Sequence, residues 1–382
     1  MTDAFGCYNI ADLRAKARAR LPKGIWEYLE RGVEDETGMA RNRAAFDAIT
    51  FRPRVLRGVE HIHTETTIFG PAVPFPLAIA PTGAAGLMWF EGDRELARAA
   101  AVAGIPFTIS SASTMDLEHI AEAGGRLWFQ LYLWAERALT HEVVDRAWER
   151  GCEALFVTLD MAVTPNREYI LRSGFGTPFR LNARNAFDIL RHPRWLAGVM
   201  GRYARSGGIP LQANLPLAMR AKVTGSAPPG ALFKHDNLDW EEVARLRDRW
   251  PGKFVLKGVL RPDDAERALA LGADGVVVSN HGARSLDGSI ATIAALPAIA
   301  SAVGGRMTIF LDSGIRRGSD IVKALALGAD MVMAGRAPLY GLATGGSRGV
   351  THALDMLQAE TRRTMAMLGA RSLAECDADI LG

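Results

Sequence analysis

Eight short, mainly apolar runs recur along the chain. They are Leu77–Pro81, Ile105–Ser110, Leu127–Leu131, Leu155–Asp160, Lys253–Lys257, Gly275–Ser279, Met307–Asp312 and Met331–Gly335. Continuous apolar runs, as opposed to alternating ones, are typical of parallel strands that are covered on both faces. Helical patterns separate most of them, at Asp93–Ala103, His141–Arg150, Trp240–Trp250, Pro262–Leu271 and Gly318–Leu327. Eight strands alternating with helices predict the α/β class and a (β/α)₈ TIM barrel.

An internal repeat supports this architecture. The heptapeptide ALALGAD occurs at Ala268–Asp274 and again at Ala324–Asp330, and a short apolar run follows each copy. A helix that stops at a glycine and leads into a buried strand is half of a βα unit. The repeat therefore indicates two consecutive units of the same barrel.

Two segments fall outside the alternation. One is an N-terminal extension, residues 1–76, and the other is an insertion after the fourth strand, residues 161–237. A segment as long as the insertion is usually a lid or a binding element. We therefore predict one domain over residues 1–382, with the barrel formed by 77–160 and 238–382.

Part of the insertion is both basic and amphipathic. Residues 184–205 contain five arginines and one aspartate, and Trp195 lies beside an apolar helical face made by Leu196, Val199, Met200 and Tyr203. A basic amphipathic helix can lie on a membrane surface. A peripheral membrane contact is one expectation for this segment, and an active-site lid or an oligomer contact is equally compatible with the pattern.

Composition narrows the classes of function. The 45 Lys and Arg nearly balance the 42 Asp and Glu, without the concentrated basic excess of nucleic-acid binders. The three scattered cysteines fit neither a disulfide framework nor a metal site. The start of the chain lacks the apolar core of a secretory signal. The longest uncharged stretch, 66–90, contains four prolines, which excludes a spanning helix. We expect a cytoplasmic protein, peripheral on the inner face of the membrane if 184–205 binds lipid.

Polar residues cluster where the predicted strands end. The carboxyl ends of the strands bring to one rim Thr82, Ser110, Gln130, Tyr132, Thr158, Asp160, Lys257, Ser279, His281, Asp312 and Arg336. Active sites of barrels occupy this rim because the βα loops converge there. A histidine beside glycine can act as a general base near neutral pH, and Arg284, three positions after His281, can bind a carboxylate through two parallel bonds.

The last two strands carry the signal of a phosphate site. They end in Asp312–Gly318 (DSGIRRG) and Ala334–Arg336 (AGR), where glycines admit a phosphate to backbone N–H groups and arginines add charged donors. A G-x-G-x-x-G turn follows none of the early strands, which disfavours a dinucleotide. The pattern favours a cofactor with a single phosphate group.

Taken together, these motifs resemble the flavin mononucleotide (FMN)-dependent 2-hydroxy acid dehydrogenases and oxidases. The resemblance covers nearly the whole chain and rests on the segments Leu21–Gly38, Ile79–Gly83, Leu127–Tyr132, Leu256–Val259, Ser279–Arg284 (SNHGAR), Leu311–Asp330 and Ala334–Ala343. It implies FMN as cofactor, oxidation of an (S)-2-hydroxy acid to the 2-oxo acid, and a homo-oligomer, the tetramer of the family.

The resemblance also implies roles for individual residues. His281 would be the base, Asp160 would stabilise its imidazolium, Tyr132 would lie near the substrate oxygen, and Lys257 would lie beside the flavin ring. The substrate would contact Tyr28, Arg167, Arg284, Tyr132, Gly83 and Ala112. The cofactor would contact Pro81, Thr82, Gly83, Ser110, Gln130, Thr158, Lys257, Ser279, Asp312, Gly314, Arg316, Gly335 and Arg336. No metal is implied.

Several positions narrow the range of substrates that the resemblance implies. Gly83 replaces the alanine, and Ala112 the tryptophan, of the glycolate oxidases, which leaves room for a bulkier side group. Gly86–Asp93, Arg191–Trp195 and Asp160–Glu168 resemble the mandelate-oxidising members, which makes (S)-mandelate or another aromatic 2-hydroxy acid the favoured substrate. Electrons would pass to a quinone or another acceptor. Ser285 and Arg31 depart from the common family pattern at the edge of the site.

Three alternatives remain. Within the family, the chain could be an L-lactate dehydrogenase or an oxidase that reduces oxygen to hydrogen peroxide. A non-redox flavin- or phosphate-binding isomerase on the same barrel would have little use for Arg284 beside His281. A membrane-binding scaffold without catalysis would not need the polar rim.

Overall fold

The structure is a computed structural model that describes residues 5–134, 136–176, 181–225 and 239–382. A two-stranded antiparallel hairpin, β1 (Thr66–Thr67) and β2 (Ala72–Val73), precedes a closed parallel barrel. The barrel strands are β3 (Leu77–Ile79), β4 (Phe107–Ser110), β5 (Leu127–Leu131), β6 (Ala154–Thr158), β7 (Lys253–Val259), β8 (Gly275–Val278), β9 (Thr308–Leu311) and β10 (Met331–Ala334). Each strand pairs with its neighbours in sequence order, and β10 closes on β3. The predicted TIM barrel is confirmed.

The helices before the insertion are α1 (Ile10–Arg20), α2 (Lys23–Glu30), α3 (Thr37–Ala48), α4 (Ala85–Met88), α5 (Gly92–Ala103), α6 (Leu117–Ala121) and α7 (Arg137–Glu149). The insertion contributes α8 (Glu168–Ser173), α9 (Ala183–Leu190), α10 (Pro193–Trp195), a π-helical turn (Leu196–Met200) and α11 (Gly201–Arg205). After it come α12 (Trp240–Arg249), α13 (Pro262–Ala270), α14 (Thr292–Val303), α15 (Gly318–Ala326) and α16 (Arg336–Leu368). Short 3₁₀ turns lie at Leu217–Met219, Leu373–Glu375 and Ala378–Ile380.

Aromatic packing fills the amino end of the barrel. The Trp128 and Phe156 rings stack with their centroids 5.1 Å apart, and Phe310 meets both edge-on. Phe69, at the turn of the hairpin, packs against Trp128 and Phe310 from outside. Because large apolar side chains close this end, a ligand can reach the barrel axis only from the carboxyl ends of the strands.

The N-terminal helices cover the opposite, carboxyl end. α1 packs along α16, α2 brings Tyr28 and Leu29 to the mouth of the barrel, and α3 packs against α14. The single-domain division predicted from the sequence stays a prediction, and residues 177–180 and 226–237 of the predicted insertion lie outside the described residues.

The apolar face of the insertion around Trp195 packs against the rest of the protein. Val199 and Trp195 are buried, and the Trp195 indole donates to the carbonyl of Leu87 at 2.7 Å. Tyr203 accepts from the backbone N–H of Glu91 and packs on Phe90. This apolar face packs on the segment after β3, because burial there removes it from water. The membrane contact of residues 184–205 stays a prediction, beside the equally compatible role as a lid or an oligomer contact. Within the described part of the insertion, the exposed large apolar side chains are Val163, Leu171, Leu181, Phe187, Leu190, Ile209, Leu211 and Leu217.

In the described residues, no helix combines the length and apolar character needed to cross a bilayer.

Candidate active site

A cleft at the carboxyl ends of the strands collects the predicted residues. Its empty volume, including the open mouth, is about 970 Å³. Its walls include Tyr28, Pro81, Thr82, Gly83, Ser110, Ala112, Gln130, Tyr132, Thr158, Arg167, Lys257, His281, Arg284, Asp312, Gly314, Arg316, Gly335 and Arg336. Of the predicted site residues, Asp160 and Ser279 lie just behind this wall, where they bond to His281 and Lys257. The structure therefore brings the predicted set together in one place.

His281 and Asp160 form a directed pair at the floor of the cleft. His281 Nδ1 lies 2.9 Å from Asp160 Oδ1, and His281 Nε2 faces the Tyr132 hydroxyl at 3.3 Å. Burial lowers the pKa of His281 and outweighs the opposing effect of Asp160. Burial alone would raise the pKa of Asp160, but His281 and Lys257 hold it below its usual value. The carboxylate is thus ionised and accepts from Nδ1–H, which leaves the Nε2 lone pair directed into the cleft.

Tyr132 is a donor at this point. Burial, assisted by the charge of Asp160, raises the pKa of its phenol well above the usual range. A protonated hydroxyl can donate to the Nε2 lone pair of His281 or to an oxygen of a bound molecule.

Two guanidinium groups border the His281 pair. Arg284 donates to the carbonyls of Tyr28 and Arg31 at 2.7 and 2.8 Å, and its plane lies over the Tyr28 ring. Arg167 donates to the carbonyl of Arg284, and within the described chain its Nε has no hydrogen-bond partner. Burial, followed by the charge of Arg284, lowers the pKa of Arg167. Among the described residues, neither arginine forms an ion pair with a carboxylate, so this corner is built to receive an anion.

Lys257 crosses the cleft from β7. Its Nζ donates to Ser279 Oγ at 2.8 Å and lies 3.2 Å from Asp312 Oδ2. Burial would lower the pKa of Lys257, but Asp312 and Asp160 outweigh it, so the amine stays charged. A buried ammonium at the edge of an open cleft can stabilise negative charge on a bound ring.

Hydroxyl and amide groups line the wall between strands β4, β5 and β6. Ser110 Oγ donates to Gln130 Oε1 at 3.0 Å, and Gln130 Nε2 donates to Thr158 Oγ1 at 2.9 Å. This chain fixes the orientation of the Gln130 amide. In the part of the chain that the structure describes, the buried Thr82 Oγ1 and Asp160 Oδ2 lack hydrogen-bond partners, and Thr82 is the one of the two that lines the cleft.

The far end of the cleft is a positive pocket. Arg336 is partly buried, and its described hydrogen bonds to oxygen all go to backbone carbonyls, those of Leu29, Gly282 and Arg31. Burial lowers the pKa of Arg336 to about 10, with Arg284 and Arg316 adding to the effect. Among the described residues Arg336 forms no ion pair with a carboxylate, and a partly desolvated cation of this kind favours an anionic ligand. Gly314, at φ 112°, and Gly335, at the N-terminus of α16, carry no side chain, so a phosphate beside Arg336 can approach their backbone N–H groups.

These observations fit FMN. The positive pocket can accept one phosphate group, and the polar wall can form hydrogen bonds with the edge of a flavin ring. The Lys257 ammonium can stabilise negative charge on that ring. In the described residues there is no group of histidine, cysteine and carboxylate side chains that could bind a metal ion.

Some site residues escape sequence reasoning. Tyr169 accepts from Arg284 Nη2 at 3.4 Å, Ser313 Oγ bonds both Asp312 and the N–H of Gly282, and Asn42 bonds the side chain of Asn280. Tyr169 comes two residues after Arg167 and Ser313 directly follows Asp312, so adjacency was a usable signal for both. Asn42 has no such signal, because it contacts the loop from a helix 238 residues away in the sequence.

The two departures from the family pattern lie at the edge of the cleft. The Arg31 side chain pairs with Glu36 at 2.8 Å and points away, while its carbonyl accepts from both Arg284 and Arg336. Ser285 Oγ contacts the carbonyl of Asn280 at 3.5 Å.

Comparison with known proteins gives a consistent assignment. Residues 17–382 match the model of the FMN-dependent dehydrogenase family. The chain is 40% identical to (S)-mandelate dehydrogenase of Pseudomonas putida over 375 residues, covering 98% of this chain and 93% of that protein. It is 40% identical to L-lactate dehydrogenase of Ectopseudomonas mendocina over 377 residues, covering 97% of each.

Solved structures agree with the sequence comparison. The crystal structure of the monotopic membrane protein (S)-mandelate dehydrogenase superposes with a TM-score of 0.91 at 39% identity, covering 99% of both chains. A mandelate oxidase with bound (S)-2-phenylpropionate superposes with a TM-score of 0.80 at 34% identity, covering 98% of both. The chain therefore belongs to the FMN-dependent dehydrogenase family and is an oxidoreductase that uses FMN.

Proposed function

We propose that this protein oxidises an (S)-2-hydroxy acid to the 2-oxo acid, with (S)-mandelate or another aromatic 2-hydroxy acid as the favoured substrate. The observation that carries the proposal is the position of His281 Nε2, which faces the cleft beside Tyr132. Next to it lie the guanidinium groups of Arg167 and Arg284, which form no ion pair with a carboxylate among the described residues. A base, a hydroxyl donor and two carboxylate partners are the groups that a 2-hydroxy acid requires.

In this proposal each side chain has a distinct task. Arg284 and Arg167 bind the substrate carboxylate, Tyr28 supports Arg284, and Tyr132 donates to the substrate hydroxyl. His281 Nε2 accepts a proton from the substrate, whether the electrons leave through a carbanion or as a hydride. Asp160, ionised and 2.9 Å from Nδ1, stabilises the imidazolium that forms.

FMN, when bound, supplies the acceptor for the two electrons that leave the substrate carbon. Arg316, Arg336, Gly314 and Gly335 would bind its phosphate. Lys257, with Ser279 and Asp312 behind it, would lie beside the ring. The rest of the cofactor would contact Pro81, Thr82, Gly83, Ser110, Gln130 and Thr158.

A second cavity supports a bulky substrate side group. It is mostly apolar, about 2300 Å³ including its open mouth, and shares Tyr28, Ala112, Tyr132 and Arg167 with the reacting cleft. A Cβ at Gly83 would lie 2.9 Å from Tyr28 Oη and 3.0 Å from Ala112 Cβ, so the small residues at 83 and 112 keep the passage between the two spaces open. A phenyl group that extends from the cleft through this passage is buried against apolar walls, which favours its binding.

The two alternatives within the family, an L-lactate dehydrogenase and a hydrogen peroxide-producing oxidase, would use the same catalytic residues. They differ from the proposed function in the substrate that is oxidised or in the electron acceptor. A lactate dehydrogenase would gain little from the apolar cavity, because a methyl group does not reach it. We expect anaerobic (S)-mandelate to bleach the flavin of the purified protein faster than (S)-lactate does. Faster bleaching by lactate would contradict the substrate assignment, and rapid oxygen uptake with substrate would indicate an oxidase.

We infer further that the insertion contacts a membrane peripherally. The exposed Leu171, Phe187 and Leu190 lie near arginines, and the structurally similar mandelate dehydrogenase is described as a monotopic membrane protein. Such a surface combines apolar insertion with attraction to anionic lipid. This location would suit a quinone as acceptor; an active-site lid or a contact between copies of a homo-oligomer is the alternative role.

The membrane contact has a direct test. Sedimentation with anionic vesicles should be lost in a Phe187→Ser, Leu190→Ser variant and retained in Val102→Ser, which alters an equally exposed apolar residue outside the insertion. Equal sedimentation of the two variants would refute the membrane contact.

A further inference from the structure

The loop that carries His281 has an unfavourable backbone. His281, Gly282 and Ala283 follow one another in the left-handed region, with φ of 57°, 67° and 58°. Two of these three residues have a Cβ, which disfavours this conformation, so surrounding contacts must maintain it. The loop conformation matters because it directs the His281 ring toward Asp160 on one side and the cleft on the other.

Asn280 is one of the residues that hold this loop, together with Ser279 and Ser313, which accept from the N–H groups of His281 and Gly282. Its Oδ1 accepts from the N–H of Ala283 at 3.1 Å, and its Nδ2 donates to the carbonyl of Ile290 at 3.1 Å. The remaining two positions of the amide both go to Asn42: Asn42 Nδ2 donates to Asn280 Oδ1 at 3.0 Å, and Asn280 Nδ2 donates to Asn42 Oδ1 at 2.8 Å. The Asn280 amide thereby uses all four of its hydrogen-bonding positions.

Asn42 belongs to α3, far from the loop in the sequence, and both amides are almost completely buried, with Asn42 3% and Asn280 1% exposed. Water therefore cannot replace a lost partner without opening the structure. If Asn42 loses its amide, one buried donor and one buried acceptor of Asn280 remain unsatisfied. The Asn280 side chain would then reorient to satisfy them, and its bond to the Ala283 N–H would weaken.

We propose that Asn42 is a positioning residue for the reaction: through the reciprocal amide pair with Asn280, it keeps residues 281–283 in the conformation that aims His281 Nε2 into the cleft. The proposal rests on the proposed role of His281 as the base. Asn42 itself touches neither His281 nor Asp160 in the described contacts, and it acts only through the loop.

Two variants test the pair. Asn42→Ala removes the amide, and Asn42→Asp keeps its shape but replaces the N–H donor by an acceptor, which sets two oxygens against each other at Asn280 Oδ1. A control, Asp274→Asn, disturbs a partly buried carboxylate that accepts from Phe254 N–H and Lys253 at the amino end of the barrel, opposite the cleft. All three variants should retain FMN.

We expect both Asn42 variants to slow anaerobic flavin reduction by saturating substrate roughly 10- to 100-fold, because a shift of the base by about 1 Å has effects of that order. The half-saturating substrate concentration should change little, since Arg284 and Arg167 are untouched. In the flavin-free protein, hydrogen–deuterium exchange of the peptide spanning 279–285 should accelerate while the barrel strands keep their protection. Asp274→Asn should show none of these changes.

A wild-type rate in both Asn42 variants would overturn the proposal. Equal losses in the Asn42 variants and Asp274→Asn would also overturn it, because they would reflect general destabilisation. If none of the 2-hydroxy acids tested reduces the flavin of the wild-type protein, the proposed function fails. The exchange measurement on the flavin-free protein still reports whether Asn42 restrains the loop.

Discussion

Replacing Asp160 by asparagine isolates the electrostatic part of the proposed reaction. The amide has nearly the shape of the carboxylate and can still accept from His281 Nδ1–H, so the ring keeps its orientation while the negative charge disappears. The pair is mostly buried, with a 2.9 Å contact between Asp160 Oδ1 and His281 Nδ1. At a charge separation of about 4 Å and an effective dielectric constant of about 20, the lost attraction to an imidazolium is about 4 kcal/mol.

Part of that attraction is retained as a neutral hydrogen bond, so the barrier should rise by roughly 3 to 4 kcal/mol, which is a loss of about 10²- to 10³-fold in rate. The assay is rapid-mixing measurement of flavin bleaching by (S)-mandelate in the absence of oxygen. The pKa of His281, which burial already lowers, should fall further because the carboxylate that raises it is gone. The low-pH limb of the kcat/KM profile, where His281 must lose its proton to act as the base, should therefore move to still lower pH. A bleaching rate within threefold of wild type, with FMN still bound, would refute the role given to Asp160.

Two further predictions concern substrate choice and stability. Ala112→Trp should place an indole in the passage between cleft and apolar cavity, lowering kcat/KM for (S)-mandelate by tenfold or more relative to (S)-lactate; a uniform loss for both acids would contradict the passage. Burial raises the pKa of Asp93 from its ordinary value near 4 to about 6, so the neutral form is favoured in the folded state, and the fold loses stability as pH rises from about 4 to 6, after which the penalty is constant. Asp93→Asn should therefore stabilise the protein by about 2 to 3 kcal/mol at pH 8 and by almost nothing at pH 4, as measured by denaturant unfolding; equal effects at both pH values would argue against a buried charge.

The barrel could be predicted because its strands are buried on both faces. A run such as Leu127–Leu131 is apolar at every position except Gln130, all five residues are buried, and the structure places the strand where the pattern does. Helix α14 was not predicted, since Pro297 interrupts it and its alanines show weak periodicity. Polar residues at strand ends were predictable as a set because barrel topology alone brings them to one rim.

Long-range contacts account for most of what the sequence could not show. Arg336 is recognisable as a phosphate partner from its motif, but its bonds to the carbonyls of Leu29 and Arg31 depend on how α2 folds over the barrel. The apolar face of residues 195–203 could either contact lipid or pack against the rest of the protein, and a helical pattern in the sequence cannot distinguish the two. Only the packing of Trp195 on Leu87 decides between them.

The central claim is that one cleft binds FMN and oxidises a 2-hydroxy acid with His281 as the base. Its most direct test is an anaerobic titration of the yellow wild-type protein with (S)-mandelate, beside His281→Gln. The account predicts complete bleaching of the flavin band in the wild type, and a variant that binds FMN equally well but bleaches orders of magnitude more slowly. A His281→Gln protein that bleaches at the wild-type rate, or a wild-type protein that binds no flavin, would contradict it.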